Sequence, residues 1–126
     1  MQRGEREIVI YYNPELSAHR QTIAYARSEA PYVEAFAFDH ADLNATRWEE
    51  ILTALGLHPS EILNEEHPFF IENLEGRDFD EVSWIKIIMN NPELVKAPIA
   101  VRGQRAILCL NPKDVYRLHK EEHLSL

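Results

Sequence analysis

Residues 8–20 read IVIYYNPELSAHR, and this stretch carries the strongest structural signal in the chain. Its first five residues are apolar, β-branched or aromatic, which is typical of a buried strand, and the Asn13-Pro14 pair indicates a turn. A helix is predicted to open at Ser17. A strand, a turn and a helix start in this order direct backbone N–H groups toward one point, where a thiolate or an oxyanion is stabilised.

The elements next to this stretch predict a parallel pair of strands. The first strand is expected over 7–12, a helix over 18–29, and a second strand over 32–38. Pro31 stops the helix. A strand, a helix and a second strand at this spacing imply a right-handed crossover.

Residues 43–95 are expected to form a helical insertion. Its Thr46-x-x-Glu49 pattern reads as a capping box, and Gly56 is expected to end the helix that the box opens. Pro59-Ser60 is predicted to begin a shorter helix that ends near Asn64.

The second half of the insertion is less regular. Residues 65–79 have no clean period and predict a long loop, whose Phe69, Phe70, Ile71 and Phe79 are expected either to face a partner or to cover the core. Asp80 is predicted to cap a helix that ends before Pro92.

The C-terminal part predicts a hairpin and a final helix. Strands are expected over 99–102 and 105–110, with Gly103-Gln104 as the two-residue turn. Asn111-Pro112 supplies a cap and a first helical residue. Residues 119–126 are expected to be a tail.

Composition predicts one domain over 1–126, in the cytoplasm. The N-terminus has no apolar stretch of signal length, and no apolar run is long enough to span a bilayer. A net charge of −8 argues against duplex nucleic acid as a direct partner. The single cysteine, Cys109, allows no intramolecular disulfide. His119 and His123 lack a recognisable third ligand, so no metal is expected.

The order of elements, taken with the first loop, resembles the arsenate reductase (ArsC) and Spx family of thioredoxin-like proteins. That family follows its first strand with Asn-Pro-x-Cys-x-x-Ser-Arg, and the matching residues here are Asn13, Pro14, Leu16, His19 and Arg20. Further matches are Leu55-Gly56-Leu57, Ala97-Pro98-Ile99 and Asn111-Pro112. The resemblance implies an α/β thioredoxin-like fold (β-α-β, helical insertion, β-β-α) with a mixed four-stranded sheet flanked by helices.

Four positions depart from the chemistry that the resemblance implies. Leu16 stands where the family has its nucleophilic cysteine, and the positions of the family arginines fall at or near Asn64, Ala97 and Leu110. An uncharged, apolar site cannot hold an arsenate dianion against its hydration. Arsenate reduction by the family route is therefore not expected.

Two groups remain as candidate sites. Asn13, Ser17, His19, Arg20 and Pro98 are the members of a vestigial anion or ligand site, for which the alternative is an exposed first turn with only capping and solubilising roles. Cys109 is the possible redox thiol, for which the alternative is a buried core residue.

The resemblance also implies a cis Ala97–Pro98 bond. Lys96 is expected to point away from the site, and Arg102 and Arg105 are predicted to be solvated edge charges.

Three functions follow. The favoured one is a non-catalytic binding or regulatory protein, a pseudo-enzyme without a cofactor, whose partner is a protein or a small thiol or anion ligand. The second is a divergent glutathione- or thiol-dependent oxidoreductase that uses Cys109 or a partner thiol. The third is an Spx-like regulator that binds RNA polymerase, although the redox cysteines of that group are missing here. The sequence leaves the oligomeric state open.

Overall fold

The computed structural model describes residues 6–40 and 42–119, which place helices on both faces of a central sheet. The strands are β1 Glu7–Tyr12, β2 Tyr32–Ala37, β3 Ile99–Arg102 and β4 Arg105–Leu108. The α-helices are α1 Ser17–Glu29, α2 Ala45–Leu55, α3 Pro68–Asn73 and α4 Glu81–Asn90. Short 3₁₀ helices cover Pro59–Ile62, Pro92–Leu94 and Pro112–Leu118.

The sheet is mixed and has the strand order β2-β1-β3-β4. β1 and β2 are parallel, whereas the β1–β3 and β3–β4 pairs are antiparallel. Tyr11 pairs with Ile99, and Ile99 pairs with Leu108. The end of β1, the start of β3 and the end of β4 therefore lie at one end of the sheet, which we call the apex. The predicted α/β fold with a mixed four-stranded sheet is confirmed.

Alternation along the strands divides the core into two layers. Val9, Tyr11, Ile99 and Val101 face the helical insertion, where Trp48 and Trp84 are both buried. Ile8, Ile10, Ala100 and Cys109 face α1 and the last 3₁₀ helix. Both tryptophans are thus core residues.

Two helix starts differ from the predictions. Asn44, and not the Thr46 box, caps α2, because its side-chain oxygen accepts the Arg47 N–H at 2.8 Å. Leu16 occupies the cap position of α1 and offers no side-chain bond, so Ser17 is the first helical residue and not the cap. The predictions for Asp80 and for Gly56, which ends α2 with a left-handed φ of 69°, are confirmed.

The segment predicted as one long loop over 65–79 contains α3. His67 caps this helix by accepting the Phe69 N–H at its Nδ1 at 3.1 Å, and Pro68 takes the first helical position. Phe70 is buried, and Phe69 and Phe79 pack against the same core, whereas Ile71 is exposed. The aromatic residues of this segment therefore cover the core.

Other boundaries are shifted by local hydrogen bonds. β4 ends at Leu108 and not at residue 110, because the Leu110 N–H turns back to the Leu108 carbonyl at 3.1 Å. The helix predicted from Pro59 ends at Ile62, and His58 caps it. Asn111 and Pro112 start the final helix as predicted, but that helix is 3₁₀.

Arg102 is buried, with only 2% of its surface exposed, so the prediction that it is a solvated edge charge is wrong. Its Nη1 donates to the Leu118 carbonyl at 2.8 Å and lies 3.4 Å from Glu29 Oε1. Arg105 is half-buried and donates to the His119 carbonyl at 2.8 Å. Both arginines therefore attach the C-terminal segment to the sheet and are not solvated edge charges.

Candidate functional site

The loop between β1 and α1 lies at the apex and satisfies its N–H groups internally. The Glu15 N–H donates to Asn13 Oδ1 at 3.0 Å, and the Leu16 N–H donates to the Asn13 carbonyl at 3.1 Å. The Asn13 N–H donates to His19 Nδ1 at 3.0 Å. Three donors of this loop therefore already have acceptors within the chain.

His19 is the buried centre of this arrangement, with 4% of its surface exposed. Burial lowers its pKa, and a hydrogen bond with the Lys96 backbone opposes that shift. Because Nδ1 accepts a backbone hydrogen, the ring is neutral with its proton on Nε2. His19 thereby links the β1–α1 loop to the segment that precedes β3. An exposed first turn is the wrong description of this residue.

The neighbours of His19 lie on the surface. Ser17 and Arg20 are exposed, and the Arg20 guanidinium donates to the Pro14 carbonyl at 2.7 Å. Leu16 is 46% exposed. The structure thus places Asn13, Ser17, His19 and Arg20 of the predicted vestigial site in the β1–α1 loop and the first turn of α1, whereas Pro98 lies directly before β3. Anion binding by these residues stays a prediction.

The positions at which the resemblance predicts the family arginines are occupied by groups that cannot clamp an oxyanion. Asn64 uses its side-chain oxygen to accept the Glu66 N–H at 3.0 Å. Ala97 is buried, whereas Lys96 beside it is exposed. Leu110 is 68% exposed, just beyond the end of β4. Arginine supplies paired N–H donors to an oxyanion, and none of these side chains replaces them.

The peptide bond between Ala97 and Pro98 differs from the expected one. No cis peptide bond occurs among the described residues, so Ala97–Pro98 is trans and that prediction is wrong. Pro98 is buried, and its carbonyl accepts the Cys109 N–H at 2.8 Å. This bond extends the β3–β4 pairing by one step and occupies a backbone group of Pro98.

Cys109 is 2% exposed and packs with the apolar side chains on the α1 face of the sheet. Burial, followed by the negative charge of Asp114, raises the pKa of its thiol to about 12. Only the thiolate is an effective nucleophile. At neutral pH this side chain behaves as a small core hydrophobe.

A cavity of about 360 Å³ lies beside the loop, between Tyr12–Glu15, Phe38–His40 and the Pro92–Glu93 turn. The charged side chains among its described lining residues are Glu15, Asp39 and Glu93, and no lysine or arginine contributes to it. Carboxylates repel an arsenate dianion. The electrostatics of this cavity are therefore the opposite of what an oxyanion site requires.

Within the described ranges, no group of three or more His, Cys, Asp or Glu side chains is arranged to hold a metal ion. His123, one of the two histidines considered as ligands in the sequence, lies outside the described residues. The part of the chain that the structure describes also has no helix with the length and apolar character needed to cross a membrane.

The fold is that of the ArsC-type arsenate reductases, a thioredoxin-like fold with a helical insertion. An arsenate reductase from Vibrio cholerae superposes with a TM-score of 0.82 at 20% identity, covering 91% of this chain and 99% of that chain. A putative arsenate reductase from Yersinia pestis has a TM-score of 0.79 at 21% identity, covering 87% and 98%. At these identities the likeness shows the fold.

Two curated proteins are similar to this chain at low sequence identity. The uncharacterized protein YfgD of Escherichia coli is 24% identical over 115 residues, which are 90% of this chain and 97% of YfgD. An arsenate reductase of Haemophilus influenzae is 23% identical over 115 residues, covering 88% and 97%. No protein-family model matches the chain.

Two substitutions of His19 test how much its hydrogen bond with the Asn13 N–H contributes to stability. His19→Asn keeps an acceptor near the Nδ1 position, so we expect its free energy of unfolding at pH 7.5 to stay within about 1 kcal/mol of the wild type. His19→Leu leaves the Asn13 N–H without an acceptor and is expected to cost about 1–3 kcal/mol. Urea unfolding of the three proteins measures both values.

The same variants test the effect of pH. Because the pKa of His19 is lower in the folded than in the unfolded protein, its stabilisation is fully present above the ordinary value of about 6.5. It is lost as the pH falls below that value toward the folded pKa. His19→Asn should lose less stability between pH 7.5 and 5 than the wild type. Equal losses in both proteins would contradict the assignment.

Proposed function

We propose that this chain is a non-catalytic binding or regulatory protein, a pseudo-enzyme on the arsenate reductase fold. The observation that carries the proposal is the pairing of Asn13 N–H with His19 Nδ1 at 3.0 Å, next to Leu16 at the position of the family nucleophile. A side chain of the protein itself therefore takes one of the donors of the loop that precedes α1. The lost cysteine and the lost arginines support the same proposal.

A protein partner at the apex fits its surface better than an oxyanion does. Leu16 and Leu110 stand at family positions that were charged or nucleophilic, and both are exposed here. The register of the sheet brings the segments that carry them to the same end. Exposed apolar side chains at one place favour contact with a macromolecule. A cytoplasmic location is part of the proposal.

The reductase alternative requires Cys109 to meet its substrate. Its burial and raised pKa oppose that role. The name arsenate reductase belongs to the Haemophilus influenzae relative, whose identity to this chain is 23%.

An assay of arsenate reduction tests the proposal. The wild type and Cys109→Ala are supplied with arsenate and NADPH, with a glutathione–glutaredoxin system or a thioredoxin system, and the Haemophilus influenzae relative serves as the positive control. We expect no turnover above background from either protein, because the chain has no accessible thiolate. Turnover that disappears in Cys109→Ala would make the protein a rearranged reductase. Turnover that persists in that variant would also overturn the proposal.

A further inference from the structure

The outer edge of β4 has backbone groups that no strand pairs in the described residues. Across the hairpin Arg105 pairs with Arg102, and the Cys109 N–H donates to Pro98. Residues 105, 107 and 109 therefore pair inward, and Ala106 and Leu108 direct their backbone groups outward. The Leu108 carbonyl already accepts the Leu110 N–H. This leaves the Ala106 N–H, the Ala106 carbonyl and the Leu108 N–H at the open edge.

A cavity of about 650 Å³ adjoins this edge, between α2 and the β3–β4 turn. Ile51, Val101 and Ala106 give it apolar walls, and Glu49 and Glu50 contribute carboxylates. Arg47 lies 3.2 Å from Glu50 and pairs with it. Glu49 is exposed and has no ion pair among the described residues, so the cavity carries a net negative charge.

We infer that the β4 edge and this cavity form a docking site for an extended segment of a partner protein, with lysine or arginine at alternate positions. A strand added to a sheet edge gains main-chain hydrogen bonds, and every second side chain enters the adjoining pocket. The apolar walls accept the stem of a long basic side chain, and Glu49 attracts its charge.

A second copy of this chain is a poorer occupant of the same edge. Each copy has a net charge of −8 and would bring its own Glu49 to the interface. Like charges placed opposite one another are unfavourable. The inference is independent of the proposed function, because the cavity lies at the end of the sheet opposite the apex.

The probe is a six-residue peptide that alternates lysine and valine, added to the full chain labelled with ¹⁵N. We expect shifted amide resonances on β4 and α2, and slower hydrogen exchange at the Ala106 and Leu108 amides. Residues of β2, the other edge of the sheet, should not respond. The same peptide methylated on its backbone nitrogens should not bind, because it cannot donate to the Ala106 carbonyl.

Charge variants test the second half of the inference. Glu49→Gln should lower the affinity for the lysine–valine peptide about two- to fivefold, as expected for the loss of an exposed ion pair. Glu72→Gln removes the same charge from an exposed position on α3 and should leave the affinity unchanged. Unaltered resonances at Ala106 and Leu108 with millimolar peptide would overturn the inference. So would equal binding of a glutamate–valine peptide, or occupation of the edge by a second copy without peptide.

Discussion

Cys109 is expected to react with iodoacetamide about 10³-fold more slowly at pH 7 than the thiol of the Leu16→Cys, Cys109→Ala variant. With a pKa of about 12, almost none of Cys109 is thiolate at pH 7, whereas a free cysteine near its ordinary pKa of ~8.5 is about 3% thiolate. Position 16 is 46% exposed and caps a helix, where the N-terminal dipole stabilises a thiolate further. Mass spectrometry of the intact protein over time gives both rates.

Unfolded protein is the control for this comparison. In concentrated urea both thiols should be alkylated at similar rates, because burial and the helix dipole no longer act on them. If native Cys109 reacted as fast as the thiol at position 16, the core position of Cys109 would be wrong and the oxidoreductase function would become the better proposal. Slow alkylation of the thiol at position 16 would instead show that the loop does not stabilise a thiolate.

Arg102→Met is expected to lower the free energy of unfolding by about 2–4 kcal/mol. Removing one partner of a buried charged pair costs about 3–5 kcal/mol, and the partial exposure of Glu29 reduces that figure. The Leu118 carbonyl, which accepts the guanidinium at 2.8 Å, also loses its donor. Methionine fills most of the volume of the arginine stem, so the loss reports on hydrogen bonds and charge more than on packing. Urea unfolding followed by circular dichroism measures the effect.

Arg27→Met is the matched control, because Arg27 is exposed on α1. It is expected to change stability by no more than about 0.5 kcal/mol. Arg102→Lys retains the charge but supplies fewer donors in a different geometry, so its loss should lie between those of the other two variants. If Arg102→Met and Arg27→Met cost the same, the role assigned to Arg102 in attaching the C-terminal segment would be contradicted.

The candidate site was predictable from sequence where it depends on residue identity. The resemblance places Leu16, Asn64, Ala97 and Leu110 at or near the family positions, and none of these side chains can act as a thiolate or as an oxyanion clamp. The role of His19 was not predicted, although a signal exists: His19, Ile23 and Ala26 follow the i, i+4, i+7 spacing of a buried helix face. That spacing predicts burial but does not identify Asn13 as the donor.

The insertion shows where local patterns were insufficient. Residues 65–79 lack a regular period because α3 is only six residues long, and too few positions repeat to form a face. His67-Pro68 was the available signal, a capping side chain followed by a proline at the first helical position. At the start of α2, Asn44 and the Thr46-x-x-Glu49 pattern each offer a helix cap. The sequence alone does not show that Asn44 is the residue that caps the helix.

The sequence by itself determined the order of the strands and of α1, α2 and α4, because these elements depend on side-chain type and on spacing within a few residues. It also predicts the absence of the family chemistry, because that chemistry depends on residue identity. The tertiary structure decided the environment of single polar groups. It buried His19 between Asn13 and Lys96, enclosed Cys109 in the core, and turned Arg102 inward to the Leu118 carbonyl. Charge state and hydrogen-bond partner depend on groups that are distant in sequence, and only the folded chain brings those groups together.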